Sequence, residues 1–376
     1  VGSWAGRIRS IGRTVALVAF GTAVGFVLVE LLSRVVLPAG SPLEKIYPAD
    51  AVRAPEPYTM FGGRPGGRLA YPPGTPERLN GRGYRGAEPA PVKPDGEIRV
   101  FVVGGSTVFE GDPPLPVLLE AELHDRGLTA VRCFNYGVLS AVSGQELARI
   151  VFEVVDLEPD LVVMFDGGND LTSPVQYDPR PGYPFNFIVY EANPLLGRDV
   201  SAYPKWTLLA YGSNVLRALA PGVFTDRFVD LERVRSEAGY LSPEWRDRIA
   251  SGYVGNLVKA QRISRAFGSD FSAFFQPLVF FKRTLGHEEQ KIAAPLEGFG
   301  KMARDLRLRV RLELQRARSR QGLVARDLSD IFDSIEEDMF YDIIHVTRPG
   351  KEILARAMAE DVGPRIRGTE TPAPER

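Results

Sequence analysis

The chain has 376 residues, 44% of them apolar and 25% charged, with a formal net charge of −1. That balance supports a globular core and provides no basic surface for phosphates, so no nucleic-acid partner is expected. One cysteine, Cys133, excludes an intrachain disulfide framework.

Thr14 to Val29 carries no charge, and the apolar character continues past Glu30 to Leu37, where Pro38 stops it. Val15 to Leu37 as a helix is about 34 Å long at ~1.5 Å per residue, enough for a bilayer core of about 30 Å. Residues 1–38 are therefore read as a cytoplasmic tip and transmembrane anchor. Arg7, Arg9 and Arg13 precede the run, which places the N-terminus inside and exports the rest. Two rival readings are a cleaved signal peptide and a buried core helix. Ala39-Gly40-Ser41, behind Pro38, is a poor cleavage site, and the basic flank opposes a core helix. Glu30 and Arg34, four apart on one face, reach the interface or pair. Residues 39–97 are rich in Pro, Gly and Arg and read as a connector arm with few helix or strand signals.

From Ile98 the pattern changes. Arg99 to Val103 is a buried-strand run ending in Gly104-Gly105. Leu115 to Leu123 reads as a helix and Val131 to Tyr136 as a second strand. Ser143-Gly-Gln-Glu146 has the form of a capping box and opens a helix ended by Pro159. Leu161 to Phe165 is a third strand, and Phe271 to Phe275 and Leu323 to Leu328 are the fourth and fifth. Between the last two lies an arginine-rich helix, Met302 to Arg320, read as a solvated face, with a contact to anionic glycans or lipid head groups as the alternative. A final helix follows Pro349. Alternating strands and helices predict an α/β fold, a doubly wound parallel five-stranded sheet with helices on both faces. The domain is drawn as residues 98–366, with an insertion at about 171–265 that caps the site and a disordered tail at 367–376. Tyr177, Tyr183, Phe185, Phe187 and Tyr190 in that insertion are read as loop core, with an acyl or sugar cleft as the alternative.

Three motifs follow predicted strands, and a fourth precedes the last helix. They are Ser106 in Gly-Gly-Ser-Thr, Gly137 in Asn-Tyr-Gly, Asn169 in Gly-Gly-Asn-Asp, and Asp342-Ile-Ile-His345. In a parallel sheet the loops at the strands' carboxyl ends share one rim. A serine hydroxyl needs a base within ~2.6–3.2 Å. An imidazole is the usual such base near neutral pH, so His345 is the candidate, and Asp342, placed one helical turn earlier, holds the imidazole tautomer. Backbone N–H groups of Ser106 and Gly137 and the Asn169 amide supply an oxyanion hole. Taken singly, Ser106 reads as a helix cap and Gly137 and Asn169 as turn residues. Asp170 is read as structural, His124 as solvated, and Cys133 as a small core residue. His287 lacks the second histidine of a zinc motif, and the glycines match neither a P-loop nor a dinucleotide fingerprint, so no cofactor or metal is expected.

In this order the four blocks resemble the SGNH (GDSL-like) hydrolases, whose name records a Ser, a Gly, an Asn and a His. The resemblance covers residues 98–171 and 323–362, and Gly-Gly-Ser-Thr departs from the namesake Gly-Asp-Ser-Leu. Membrane-anchored bacterial members associated with surface polysaccharides are similar to this variant, and Asn80-Gly-Arg-Gly-Tyr-Arg85 is similar to the segment that precedes the core in them. The resemblance implies a flavodoxin-like sheet, a Ser106–His345–Asp342 triad, and oxyanion donors from Ser106, Gly137 and Asn169. It also implies an acyl ester substrate, an acetyl ester on a surface or secreted carbohydrate, met on the periplasmic side of the inner membrane. Two alternatives stay open: an O-acyltransferase with a sugar hydroxyl as acceptor, and a non-catalytic glycan-binding or scaffold protein. Neither the oligomeric state nor the acyl chain length is legible.

Overall fold

Apolar runs bounded by glycine, too short for helices, pair side by side into the strands of a parallel sheet. The computed structural model describes residues 2–36, 52–69, 77–185, 187–188, 212–219 and 231–369. They fall into two units: Val1–Pro48 with Ile188–Leu231, and Ala49–Phe187 with Glu232–Arg376.

In chain order the elements are α1 (Gly2–Val36), β1 (Arg53–Glu56), β2 (Met60–Gly63), β3 (Ile98–Gly104), α2 (Ser106–Phe109), α3 (Leu115–Asp125), β4 (Val131–Gly137), α4 (Ser143–Phe152), β5 (Leu161–Asp166) and α5 (Gly168–Gln176). There follow α6 (Asn214–Leu219), α7 (Leu231–Ala238), α8 (Pro243–Ala266), β6 (Asp270–Phe275), α9 (His287–Ala293), α10 (Glu297–Gln321), β7 (Ala325–Asp327) and α11 (Arg348–Thr369).

The larger unit is built on a five-stranded sheet of order β4-β3-β5-β6-β7. Every pairing in it is parallel, with Gly104 level with Gly137 and with Phe165. This is the doubly wound order, with its switch point between β3 and β5. Helices α3 and α11 pack together, and α8 packs against α4, α10 and β6. Val100 to Val103, Val162 to Met164 and Phe271 are buried almost completely, because helices cover both faces of the sheet. Arg99 is fully buried at the start of β3 and is neutralised by Glu97 at 2.7 Å and by the Leu157 and Ala90 carbonyls.

Several expectations are corrected. The stretch read as a connector contains the antiparallel hairpin β1–β2 and buries Phe61, Leu79, Tyr84 and Arg85; it belongs to the domain from Val52 onward. Proline and glycine density hid this, because the segment packs through isolated large side chains and not through a periodic face. Residues 243–265, assigned to the insertion, form α8, the regular crossover between β5 and β6. Its amphipathic face buries Trp245, Ile249, Tyr253 and Leu257. The final helix runs to Thr369, into the stretch drawn as tail. His124 is half-buried, with Nε2 2.8 Å from the Val131 carbonyl. In α10, Arg307, Arg309, Arg311 and Arg316 are matched by Asp330, Asp305, Asp327 and Glu313, so the face is a laced ion-pair surface. Tyr177 stacks edge-on against Phe185, and Tyr183 against Phe187; Tyr190 lies outside the described residues.

In the smaller unit, Ile11–Val36 is long and apolar enough to cross a membrane. Val15, Leu17, Val18, Phe20 and Leu32 on it are exposed. Glu30 pairs with Arg34 at 3.2 Å. Its carboxylate also accepts from Ser213 Oγ at 2.8 Å and from the N–H groups of Asn214 and Val215, capping α6.

Candidate active site

The carboxyl ends of β3, β4 and β5 bring three of the predicted motifs to one rim. Ser106 opens α2 directly after Gly105, so its N–H has no acceptor within the helix. Its hydroxyl is nearly buried and meets His345 Nε2 at 2.6 Å. His345 Nδ1 lies 2.6 Å from Asp342 Oδ2. The other Asp342 oxygen accepts from the N–H groups of Ile344 (2.8 Å) and His345 (2.7 Å). Asp342 and His345 therefore sit in a tight turn closed by the aspartate itself, and not on a helix as their spacing had suggested. Burial works against the Asp342 charge, but the hydrogen bond and charge of His345 and the two N–H groups outweigh it and hold its pKa below the usual carboxylate value.

The turn is anchored from beneath. Glu289, fully buried, accepts from the N–H groups of Met339 (2.7 Å) and Phe340 (3.0 Å), from Gly286 N–H (2.8 Å) and from Lys282 Nζ (2.6 Å). The Ile343 carbonyl accepts from Val279 N–H at 3.1 Å. No sequence motif announced Glu289. Its role follows from long-range contacts across some fifty positions of chain.

Asn169 Nδ2 donates to the Ala141 carbonyl at 2.8 Å, which leaves its second N–H available. A Cβ at position 105 would lie 2.7 Å from that nitrogen, so glycine lets the amide approach the backbone beside Ser106. Gly137 does not supply the donor assigned to it. Its N–H donates to Asn135 Oδ1 at 2.9 Å, and a Cβ there would meet Phe109 N at 2.6 Å. Gly137 is glycine because α2 packs on it. A left-handed turn follows it. Ser140 is held at φ 61°, a left-handed position that a glycine would ordinarily take. Its N–H has no acceptor among the described residues, while its Oγ accepts from Arg53 Nη2 at 2.7 Å. With serine in place of glycine, nothing local marks this turn.

Ser143 is not the cap of α4. Val142 is, and Gln145 Oε1 accepts its N–H at 3.2 Å. The Ser143 hydroxyl and N–H instead donate to Asp170 at 2.6 and 2.9 Å, tying α4 to α5 and giving Asp170 its structural place. Behind this tie lies a group of buried acids, Glu146, Asp166 and Asp170. Burial first, then the Asp166 charge, raises Glu146 well above its ordinary value. Burial also raises Asp166, against the Tyr253 hydroxyl, and pushes Asp170 up to about 7.

No protein-family model matches the chain, and no curated protein does. Solved structures do match over 71% of the chain. An alpha/beta hydrolase enzyme from the metagenome of Lake Arreo is 15% identical, with 95% of its own length covered and a TM-score of 0.40. A lipase/acylhydrolase from Enterococcus faecalis is 13% identical over 96% of its length, with a TM-score of 0.40. An acetylxylan esterase from Geobacillus stearothermophilus is 13% identical over 94% of its length, with a TM-score of 0.41.

Proposed function

We propose that the chain is a serine ester hydrolase of the SGNH kind, with Ser106 as nucleophile, His345 as base and Asp342 as its partner. The observation that carries this reading is the continuous relay from Ser106 Oγ through both His345 nitrogens to Asp342, each link 2.6 Å. His345 takes the Ser106 proton as Oγ attacks the acyl carbon, then returns it to the departing alcohol. Water next attacks the acyl-enzyme with the same imidazole as base. In this reading the N–H groups of Ser106 and Ser140 and the Asn169 amide donate to the oxyanion. The substrate we favour is an acetyl ester on a cell-surface or secreted carbohydrate, reached from an inner-membrane anchor with the larger unit on the periplasmic side. The basic N-terminal flank supports that orientation.

The test is hydrolysis of 4-nitrophenyl acetate by the full chain in detergent. Ser106→Ala is expected to lower kcat by at least about 10³-fold. Full activity in that variant would remove Ser106 as nucleophile.

A further inference from the structure

The loop after α2 is fixed more firmly than a plain connector requires. Arg85 Nη1 donates to the carbonyls of Phe109 (3.3 Å) and Gly111, and Lys351 Nζ donates to the carbonyl of Glu110 between them (2.5 Å). Both cations are buried, at 4% and 3% exposed. Glu110 N–H donates to the Ser106 carbonyl at 2.7 Å. Arg85 ends the Asn80-Gly-Arg-Gly-Tyr-Arg85 motif, so that motif reaches the active-site loop through this clamp. With three consecutive carbonyls held, the Glu110 side chain faces the imidazole. Its Oε2 lies 3.8 Å from His345 Nε2 and accepts from Tyr341 OH at 3.2 Å. The Tyr341 ring stacks on His345 at 5.7 Å between centroids. The groups facing His345 are thus Ser106, Asp342, Glu110 and Tyr341, with Lys351 and Arg85 behind the Glu110 backbone. Asp342 already orients Nδ1, so a triad alone needs no carboxylate on the Nε2 edge.

We propose that Glu110 positions the oxygen nucleophile that removes the acyl group from Ser106, by accepting a second O–H from it. The inference rests on the esterase reading above. The nucleophile gives one proton to His345 Nε2 as its oxygen bonds to the acyl carbon. Its other O–H, or the neighbouring hydroxyl of a vicinal diol, stays donated to Glu110. The adduct then breaks its bond to Ser106 Oγ, which takes the proton back from Nε2. Glu110 keeps its charge throughout.

A nitrophenolate departs without needing a proton, so acylation by 4-nitrophenyl acetate makes no use of Glu110, whereas deacylation does. In the full chain in detergent, Glu110→Gln and Glu110→Ala are expected to keep kcat/KM within about threefold of wild type. They are expected to lower kcat by about tenfold or more, since a mispositioned nucleophile costs on that order. Acetylated Ser106 then accumulates, visible by intact mass. Adding glycerol or 1-propanol identifies the nucleophile. Transfer favouring glycerol in wild type and lost in the variants marks a diol, and no preference beside the same kcat split marks water. Ser106-dependent activity in which both constants fall together, or neither moves, overturns this inference alone. A wild-type chain with no Ser106-dependent turnover and no acetyl-enzyme overturns the esterase reading, and this inference with it.

Discussion

Glu289 and Glu146 are both glutamates with almost no exposed surface, in the same domain, and they are held in opposite ways. Glu289 accepts four hydrogen bonds, one from the buried Lys282 ammonium. Among the described residues Glu146 has no donor on either oxygen and faces Asp166 and Asp170. A carboxylate without donors in a low-dielectric interior keeps its proton. Burial and the facing Asp166 raise the Glu146 pKa, while Asp166 Oδ1 accepts from Tyr253 OH at 2.8 Å. The two differ in the donors they meet, four around Glu289 and none among the described residues on either Glu146 oxygen.

The largest effect is expected where the turn that Glu289 holds meets the chemistry. Asp342→Asn should lower kcat by about 10³–10⁴-fold, through the wrong imidazole tautomer. Its urea midpoint should change little, because the turn's anchor beneath is untouched. A large loss of stability would show that Asp342 is scaffold first. Glu289→Ala strands the Lys282 charge and frees two N–H groups of the turn. A buried pair broken on one side costs about 3–5 kcal/mol, to be read from the urea midpoint at constant m.

Glu146→Gln tests the other side of the comparison. The folded-state pKa values of Glu146 and Asp166 are raised, and that of Asp170 stands at about 7. A raised acid binds its proton more tightly folded than unfolded. Stability is therefore full below the unfolded values near 4 and falls as pH rises through the folded ones. The wild-type melting temperature should decline from about pH 5 to pH 8, and Glu146→Gln should flatten that decline. A flat wild-type profile would mean that the acids ionise with unseen donors. The smallest effect is expected for Tyr253→Phe, which removes one donor to Asp166. It should cost about 1–3 kcal/mol and steepen the same decline.

Both ends of the comparison lay beyond the reach of local pattern. The strand runs ending in glycine gave the sheet, and the four short blocks gave Ser106, Asn169, Asp342 and His345, because strand ends in a parallel sheet share a rim. Ser143 and Glu146 looked like a capping box, yet they turn toward acids at the end of β5 and in α5. Gly137 looked like an oxyanion donor until the Asn135 side chain claimed its N–H. The left-handed turn at Ser140 carries no glycine to mark it. Neither Glu289, in a segment weighed only for zinc, nor Glu110 had a local signature.

By itself, then, the sequence determined the alternation of strands and helices, the apolar N-terminal helix, and the residues that meet as Ser106, His345 and Asp342. These follow from periodicity and from the fixed geometry of strand ends. Which N–H groups remain available, how the buried acids are paired, and the clamp of Arg85 and Lys351 on the loop carrying Glu110 follow only from the assembled fold. Those properties depend on donors and acceptors contributed by distant parts of the chain, and hydrogen-bond satisfaction in a buried site is a sum over all of them.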